Sequence, residues 1–152
     1  MARWLDSWLP GAAVTTAGKH PGDRLGLAAT GVGSTVGFGR RLAALTVDWL
    51  LGYLIAVLFA GVDAIGGPTI SWLVLGIWLL LTTVGVALFG TSPGMKLLGI
   101  GVASVGSASV IGIPRALLRT VLVALVLPPL IRDGDGRGWH DLAARTVVVR
   151  TR

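Results

Sequence analysis

The sequence has no cysteine and no glutamate, and only 13% of its 152 residues are charged. Without cysteine, the chain has no disulfide, no thiolate nucleophile and no cysteine-ligated zinc or iron–sulfur site. Hydrophobic residues make up 53% of the chain, which is too apolar for an ordinary soluble domain and typical of a membrane protein. At this length we expect one domain.

The charges that are present are mostly positive. Thirteen lysines and arginines stand against seven aspartates, which gives a formal net charge of +6. In a soluble protein such an excess suggests a nucleic-acid partner, but the chain has no basic stripe interleaved with aromatic residues. Most of the basic residues flank apolar segments, which favours orientation in an anionic bilayer. We therefore predict the lipid bilayer, and no nucleic acid, as a partner.

Two long runs with almost no charge predict membrane-spanning helices. Residues 42–62 contain one charged side chain, Asp48, and residues 70–89 contain none. A hydrocarbon core requires about 20 apolar residues at ~1.5 Å of rise each, so both runs are long enough. The link at residues 63–69 permits only a tight turn. We expect helices at about 41–62 and 70–89 that pack antiparallel.

The basic residues around these helices predict their orientation. Arg40 and Arg41 precede the first helix, Lys96 follows the second, and the link has no basic residue. Because lysine and arginine concentrate on the cytoplasmic side, both open ends of the hairpin should be cytoplasmic and the link should face outward. The expected location is the cell membrane, with several passes and a cytoplasmic N-terminus.

The first 37 residues are expected to be a flexible, glycine-rich segment outside the membrane domain, which covers residues 38–150. Pro10 and Pro21 interrupt this segment, and its many glycines disfavour a stable helix. A short interfacial helix is predicted near its start, because four apolar residues share one helical face and tryptophan favours the membrane surface. These residues are Trp4, Leu5, Trp8 and Leu9.

After the second helix the pattern predicts two strands and a shorter helix. Residues 97–105 and 145–150 read as strands that pair with each other. Residues 116–131 form a third apolar segment, which is broken by prolines at 128 and 129. Because the unbroken part is short of a ~30 Å hydrocarbon core, we favour a re-entrant helix over a spanning one. A re-entrant helix keeps the strand pairing and the C-terminal tail cytoplasmic.

The predicted fold class is therefore an all-α membrane protein. It contains an antiparallel transmembrane hairpin, a short third helix that is re-entrant or spanning, and a small cytoplasmic pairing of two strands.

A row of small residues places Asp48 in a protein contact. Ala44, Gly52, Ala56 and Ala60 share one helical face with Asp48 at intervals of four residues. Small residues at this spacing let another backbone approach closely, so Asp48 should face protein instead of lipid. The same ridge offers a contact surface for a second copy of the chain.

Asp48 requires a polar partner, because a carboxylate inside a spanning helix is expensive. Arg41 precedes it by seven residues, about 10.5 Å along the helix axis, and is expected to extend to the headgroups instead. We predict that Arg119 is the partner of Asp48. Three interpretations remain open. Asp48 binds or relays a proton or cation, or it lies near the interface and matters little. It could also only fix two helices together by hydrogen bonding to Thr46, Thr82, Thr83 or a backbone group.

Four motifs in order resemble the RDD family of bacterial membrane proteins. They are GRRLAALTVDWL, GTSPGMKLLGIGV, PRALLR and GWHDLAARTVVV, and the similarity covers about residues 38–149. By this resemblance, the arginine that gives the family part of its name falls on Arg41, and the two aspartates fall on Asp48 and Asp141. The chain departs from the family pattern by being short between PRALLR and HDLAA.

The resemblance implies a component for transport or exchange of a cation, a proton or another small ligand. The candidate polar network is Arg41, Asp48, Arg119 and Asp141. Since so few helices cannot enclose a solvated path, we expect a homo-oligomer or a larger membrane-protein partner. The alternative is a non-catalytic accessory or scaffold subunit. We predict no enzyme activity, no catalytic residue and no cofactor. We also predict no metal site, because neither histidine has a carboxylate pair at ligand spacing.

Overall fold

The structure, a computed structural model, describes residues 19–106, 110–125 and 137–152. The main elements in chain order are α1 (Phe38–Ala60), α2 (Pro68–Phe89), α3 (Pro93–Leu97), β1 (Ile100–Ser104), α4 (Ile113–Ala124), α5 (Trp139–Ala143) and β2 (Thr146–Arg150). Short 3-10 helices occupy Asp23–Leu25 and Val62–Ala64. The predicted interfacial helix and the last part of the third apolar segment lie outside the described residues.

The two long apolar helices are confirmed. Helices α1 and α2 are 23 and 22 residues long, and within the described ranges they alone are long and apolar enough to cross a membrane. Helix α1 ends at Gly61, which adopts a φ of 83° that other residues rarely tolerate. Helix α2 starts at Pro68 and closes at Gly90, whose N–H donates to the Val86 carbonyl at 3.1 Å.

The hairpin is packed along the predicted small-residue ridge. Ala44, Asp48, Gly52 and Ala56 are buried, whereas Ala60 is exposed. A Cβ added at Gly52 would lie 3.3 Å from the Cβ of Trp78, so glycine allows α2 to approach this closely. The buried part of the ridge therefore packs against other segments of the same chain. The interpretation that it offers a contact to a second copy is wrong for its four buried members.

Helix α3 follows the second long helix and was not predicted from the sequence. Ser92 caps it, accepting a hydrogen bond from the Met95 N–H at 3.3 Å, and Pro93 occupies the first helical position. Gly94 faces α1 so closely that an added Cβ would overlap the carbonyl oxygen of Ala44. This short helix therefore lies directly against the first long helix.

The predicted strand pairing is confirmed, with shorter strands. β1 and β2 run antiparallel, with Ile100 opposite Arg150 and Ser104 opposite Thr146. β1 does not start at residue 97 because α3 extends to that point. β2 does not include Arg145, which has a left-handed φ of 51°.

The segment just before α1 also belongs to the fold. The Gly33 N–H donates to the Arg150 carbonyl at 2.9 Å, and the Arg150 N–H donates to the Ser34 carbonyl at 3.0 Å. Val36 is buried in a hydrophobic cluster with residues of α2 and β2. Residues 33–36, predicted as loop outside the membrane domain, therefore form part of its packed structure.

The hairpin has two differently built ends. At the link end, near residues 61–67, Ala56, Ile70 and Val74 form a small apolar cluster. At the other end, which we call the base, α3, α4, α5 and the sheet collect around α1 and α2. The base cluster contains Val36, Ala44, Val86, Ala87, Met95, Ile100, Val102, Ile111, Ala116 and Val148.

The length of helix α4 does not show whether the third apolar segment is re-entrant or spanning. Its 12 residues correspond to about 18 Å, which is short of a ~30 Å hydrocarbon core. It starts three residues before the predicted position, with Pro114 in its first turn. Because residues 126–131 lie outside the described ranges, the choice between a re-entrant and a spanning segment stays a prediction.

Candidate polar site at the base of the hairpin

Asp141 is the centre of a buried ion-pair cluster. Its side chain is fully buried and accepts from Arg41 Nη1 at 3.0 Å and from Arg119 Nε at 3.0 Å. Thr146 Oγ1 lies 3.3 Å from the same carboxylate. The three donors come from α1, α4 and the start of β2. One carboxylate therefore connects α5 to a long helix, to α4 and to the sheet.

The pKa of Asp141 is lowered from its ordinary value. Burial is the largest single influence and by itself would raise the pKa. The positive charge of Arg119, followed by His140 and Arg41, outweighs that penalty. The carboxylate is therefore charged in the folded protein at neutral pH. This charge is stabilising here, because it faces two arginine side chains that are largely buried.

Asp48 is held by α3. Its side chain is buried, its Oδ2 accepts from the Ser92 hydroxyl, and its Oδ1 accepts from the Gly94 N–H at 2.7 Å. Arg119 makes its ion pair with Asp141 instead. The predicted pairing of Arg119 with Asp48 is therefore wrong, and the burial of Asp48 in a protein contact is confirmed. A serine hydroxyl and a backbone N–H replace the expected arginine.

The two aspartates lie beside one cavity of about 80 Å³. Its ionisable lining residues are Arg41, Asp48, Arg119 and His140, and Trp78 and Thr82 also contribute. The remaining lining is apolar and comes from Phe38, Leu42, Leu45, Met95, Val123 and Val148. Three of the four network residues predicted from the sequence therefore line one cavity. Asp141 lies immediately behind it, bonded to both arginines.

Several buried polar atoms near this cavity lack a partner. Trp78 Nε1, Thr82 Oγ1 and Thr83 Oγ1 have no hydrogen-bond partner within the described residues. Trp78 and Thr82 line the cavity, whereas Thr83 does not. Most buried polar groups in folded proteins are hydrogen-bonded, so such atoms require an explanation.

Sequence reasoning missed three residues of this site, Ser92, Trp78 and His140. Ser92 carried a readable signal, since serine directly before proline is typical of a helix start. Thr82 was a predicted partner of Asp48 but has no hydrogen-bond partner within the described residues. Trp78 lies four residues earlier on the same face of α2, and no sequence pattern placed it at the site. His140 of α5 also lies at the cavity.

The site is suited to binding a small polar ligand. Among the residues that the structure describes, no group of three or more histidine, cysteine or acidic side chains could hold a metal ion. Ser92 is the N-cap of α3 and donates to a carboxylate whose other oxygen is also bonded. The groups available to a ligand are N–H and O–H donors around a small, partly open cavity.

Comparisons of the chain with protein-family models, with curated proteins and with solved structures gave no match. The resemblance to the RDD family therefore stays a prediction that depends on the four short motifs and their order.

Proposed function

We propose that the chain is a small multi-pass protein of the cell membrane that binds a small ligand at the base of the hairpin, as a component for transport or exchange. In this proposal α1 and α2 span the bilayer, and the base with its sheet faces the cytoplasm. The observation that carries the proposal is the cavity between the helices, which four ionisable side chains line.

The exposed surface of the long helices supports insertion into a bilayer. The most apolar windows of α1 and α2 are only 22% and 33% buried within the chain. Leu58, Phe59 and Trp72 are each more than 70% exposed. Soluble monomers rarely expose continuous apolar surface of this size, and lipid would cover it. Exposed basic residues at the base, including Arg40 and Lys96, favour a cytoplasmic base.

The depth of the cavity supports a role in moving a ligand. Asp48 is six residues after Leu42, where the apolar run begins, which places it about 9 Å along the helix axis. This distance is about a third of a ~30 Å hydrocarbon core. Ionisable groups at such depth mark substrate and ion pathways in membrane proteins. Two spanning helices cannot enclose a complete path, so the proposal includes a second copy or a larger membrane partner.

The test is flux through vesicles that contain the purified chain, measured with dyes for protons, sodium, potassium and chloride. Asp48→Asn should reduce the flux at least several-fold, because it weakens the hydrogen bonds that hold Ser92 and Gly94 of α3 beside the cavity, while the protein still inserts. Asp63→Asn is the matched control, since Asp63 is exposed in the link. Flux through Asp48→Asn equal to that of the wild type contradicts the proposal.

A second candidate function is an accessory or scaffold subunit of a larger membrane complex. The chain's own groups engage both oxygens of Asp48 and both oxygens of Asp141, as a purely structural role requires. Under this alternative a larger complex co-purifies in fixed proportion from native membranes. Asp48→Asn then lowers the abundance of the protein and leaves flux through the complex unchanged for each copy that remains.

A further inference from the structure

We propose that the ligand of the cavity is a small inorganic anion, such as a halide or nitrate, and not a cation. This inference rests on the proposed function of the cavity as a ligand site and assigns the chemical class of its ligand. Four observations support it: the unpartnered donors, the occupied acceptors, the local charge and the size of the cavity.

The cavity has buried donors without acceptors. Trp78 is 1% exposed and Thr82 is 5% exposed, and neither Trp78 Nε1 nor Thr82 Oγ1 has a partner in the described part of the chain. An indole N–H can only donate, so a cation or a donor group cannot satisfy it. A buried donor without an acceptor is destabilising. A ligand that brings acceptors removes this penalty.

The acceptors at the cavity are already occupied. Asp48 accepts from the Ser92 hydroxyl and the Gly94 N–H, one on each oxygen. Asp141 accepts from Arg41 and Arg119, again one on each oxygen. A cation would have to share a carboxylate oxygen with a donor that is already bonded to it, and it could not satisfy the Trp78 N–H. An anion leaves all four bonds in place and uses donors that have no other partner.

Two arginines, Arg41 and Arg119, also place positive charge on one side of the cavity. Arg41 and Arg119 both pair with Asp141, and His140 lies 3.4 Å from the same carboxylate. Arg119 uses only its Nε–H for this bond, although a guanidinium carries five N–H donors. The negative charge of Asp48 lies against α3, whose first-turn donors it accepts. The arginine side of the cavity therefore favours an anion.

The volume restricts the ligand to a few atoms. About 80 Å³ is roughly half of the ~150 Å³ cavity that accepts benzene in an engineered protein core. A halide or a nitrate ion fits within this volume, whereas a nucleotide, a sugar or an organic anion with a long chain would extend beyond it.

The test measures the thermal unfolding midpoint of the purified full chain in uncharged detergent. Sodium chloride, bromide and nitrate are titrated against sodium gluconate at equal ionic strength, and choline chloride serves as a second chloride source. The expected result is a saturable rise of the midpoint with each small anion, whichever cation accompanies it. Gluconate, which is too large for the cavity, should give no such rise.

Two threonine variants connect this result to the cavity. Thr82→Val removes the hydroxyl of a residue that lines the cavity. It should raise the half-saturating anion concentration about tenfold, as expected for one lost hydrogen bond to a charged ligand. Thr83→Val is the matched control: it makes the same change on the next residue, whose hydroxyl is also buried and unpartnered but lies outside the cavity. Thr83→Val should respond to anions as the wild type does.

Three results would overturn the inference. The midpoint could follow the cation instead of the anion, it could respond to no ion at all, or Thr82→Val and Thr83→Val could respond alike. Vesicle flux separates this inference from the proposed function. Anion binding without any flux retains the anion site and removes the transport role. Cation flux that small anions do not affect retains the transport role and removes the anion site.

Discussion

At the link end of the hairpin, Ala56, Ile70 and Val74 pack with each other, and large apolar side chains around them face outward. At the base, the same two helices carry Asp48 and Thr82 into the interior. The packing of the link end requires only two apolar helices that lie side by side. The base depends on donors that arrive from α3, α4 and β2. Changes at the base should therefore be far more costly than similar changes at the link end.

The largest expected effect comes from Asp141→Asn. This change removes the counter-charge of Arg41 and Arg119 and should lower the free energy of unfolding by about 3–5 kcal/mol. The matched change at the link end, Asp63→Asn, should stay within about 0.5 kcal/mol of the wild type, because Asp63 is exposed. Denaturant titration in micelles measures both values. Equal effects at the two ends would remove the contrast between them.

The next largest effect is expected for Gly94→Ala. The added methyl group would overlap the Ala44 carbonyl oxygen and crowd Asp48, so we expect a loss of about 1–3 kcal/mol in the same titration. Gly76→Ala is the control in the half of α2 nearer the link, where an added Cβ meets nothing within 4 Å. It should stabilise the protein by about 0.5–1 kcal/mol, because alanine is the better helix former. A neutral Gly94→Ala would show that α3 does not lie directly against α1.

Acid should weaken the base specifically. Because the folded-state pKa of Asp141 is below its unfolded value of about 3.9, the ion pairs stabilise the protein fully above about pH 5. That stabilisation is lost as the pH falls toward the folded pKa. The free energy of unfolding of the wild type should therefore decrease between about pH 5 and pH 3 more steeply than that of Asp141→Asn. Parallel pH profiles would contradict the lowered pKa.

The smallest expected effect is an increase in the free energy of unfolding. Thr83→Val removes a buried hydroxyl that has no partner in the described residues, so the free energy of unfolding should rise by about 1 kcal/mol. Ser92→Ala is a useful contrast at the base, because the Ser92 hydroxyl donates to Asp48 and caps α3. It should lower the same quantity by about 1–2 kcal/mol. A loss of stability in Thr83→Val would show that its hydroxyl has a partner.

The sequence predicts the link end well for a physical reason. Length and hydropathy determine apolar helices, and glycines and prolines set their limits, so α1 and α2 differ from the predicted ranges by at most three residues. The strand pairing was predictable because a run of β-branched residues between two arginines marked β2, and β1 lay on the same side of the hairpin. These signals are local or depend on simple connectivity.

The polar contacts at the base could not be predicted in the same way. Arg119 and Asp141 are 22 residues apart, and Asp48 and Gly94 are 46 apart, so no helical or strand periodicity relates them. The small-residue ridge correctly placed Asp48 in a contact but did not identify the element across from it. Which donor reaches which carboxylate depends on how α3 and α5 pack, and only the tertiary structure supplies that information.

The most direct measurement is a pair of double-mutant cycles on Arg119. The first combines Arg119→Gln with Asp141→Asn, and the second combines Arg119→Gln with Asp48→Asn. The ion pair at 3.0 Å predicts a coupling energy of at least about 1 kcal/mol in the first cycle and no more than about 0.5 kcal/mol in the second. The reverse order, with Arg119 coupled to Asp48 and independent of Asp141, would contradict the arrangement of the site described above.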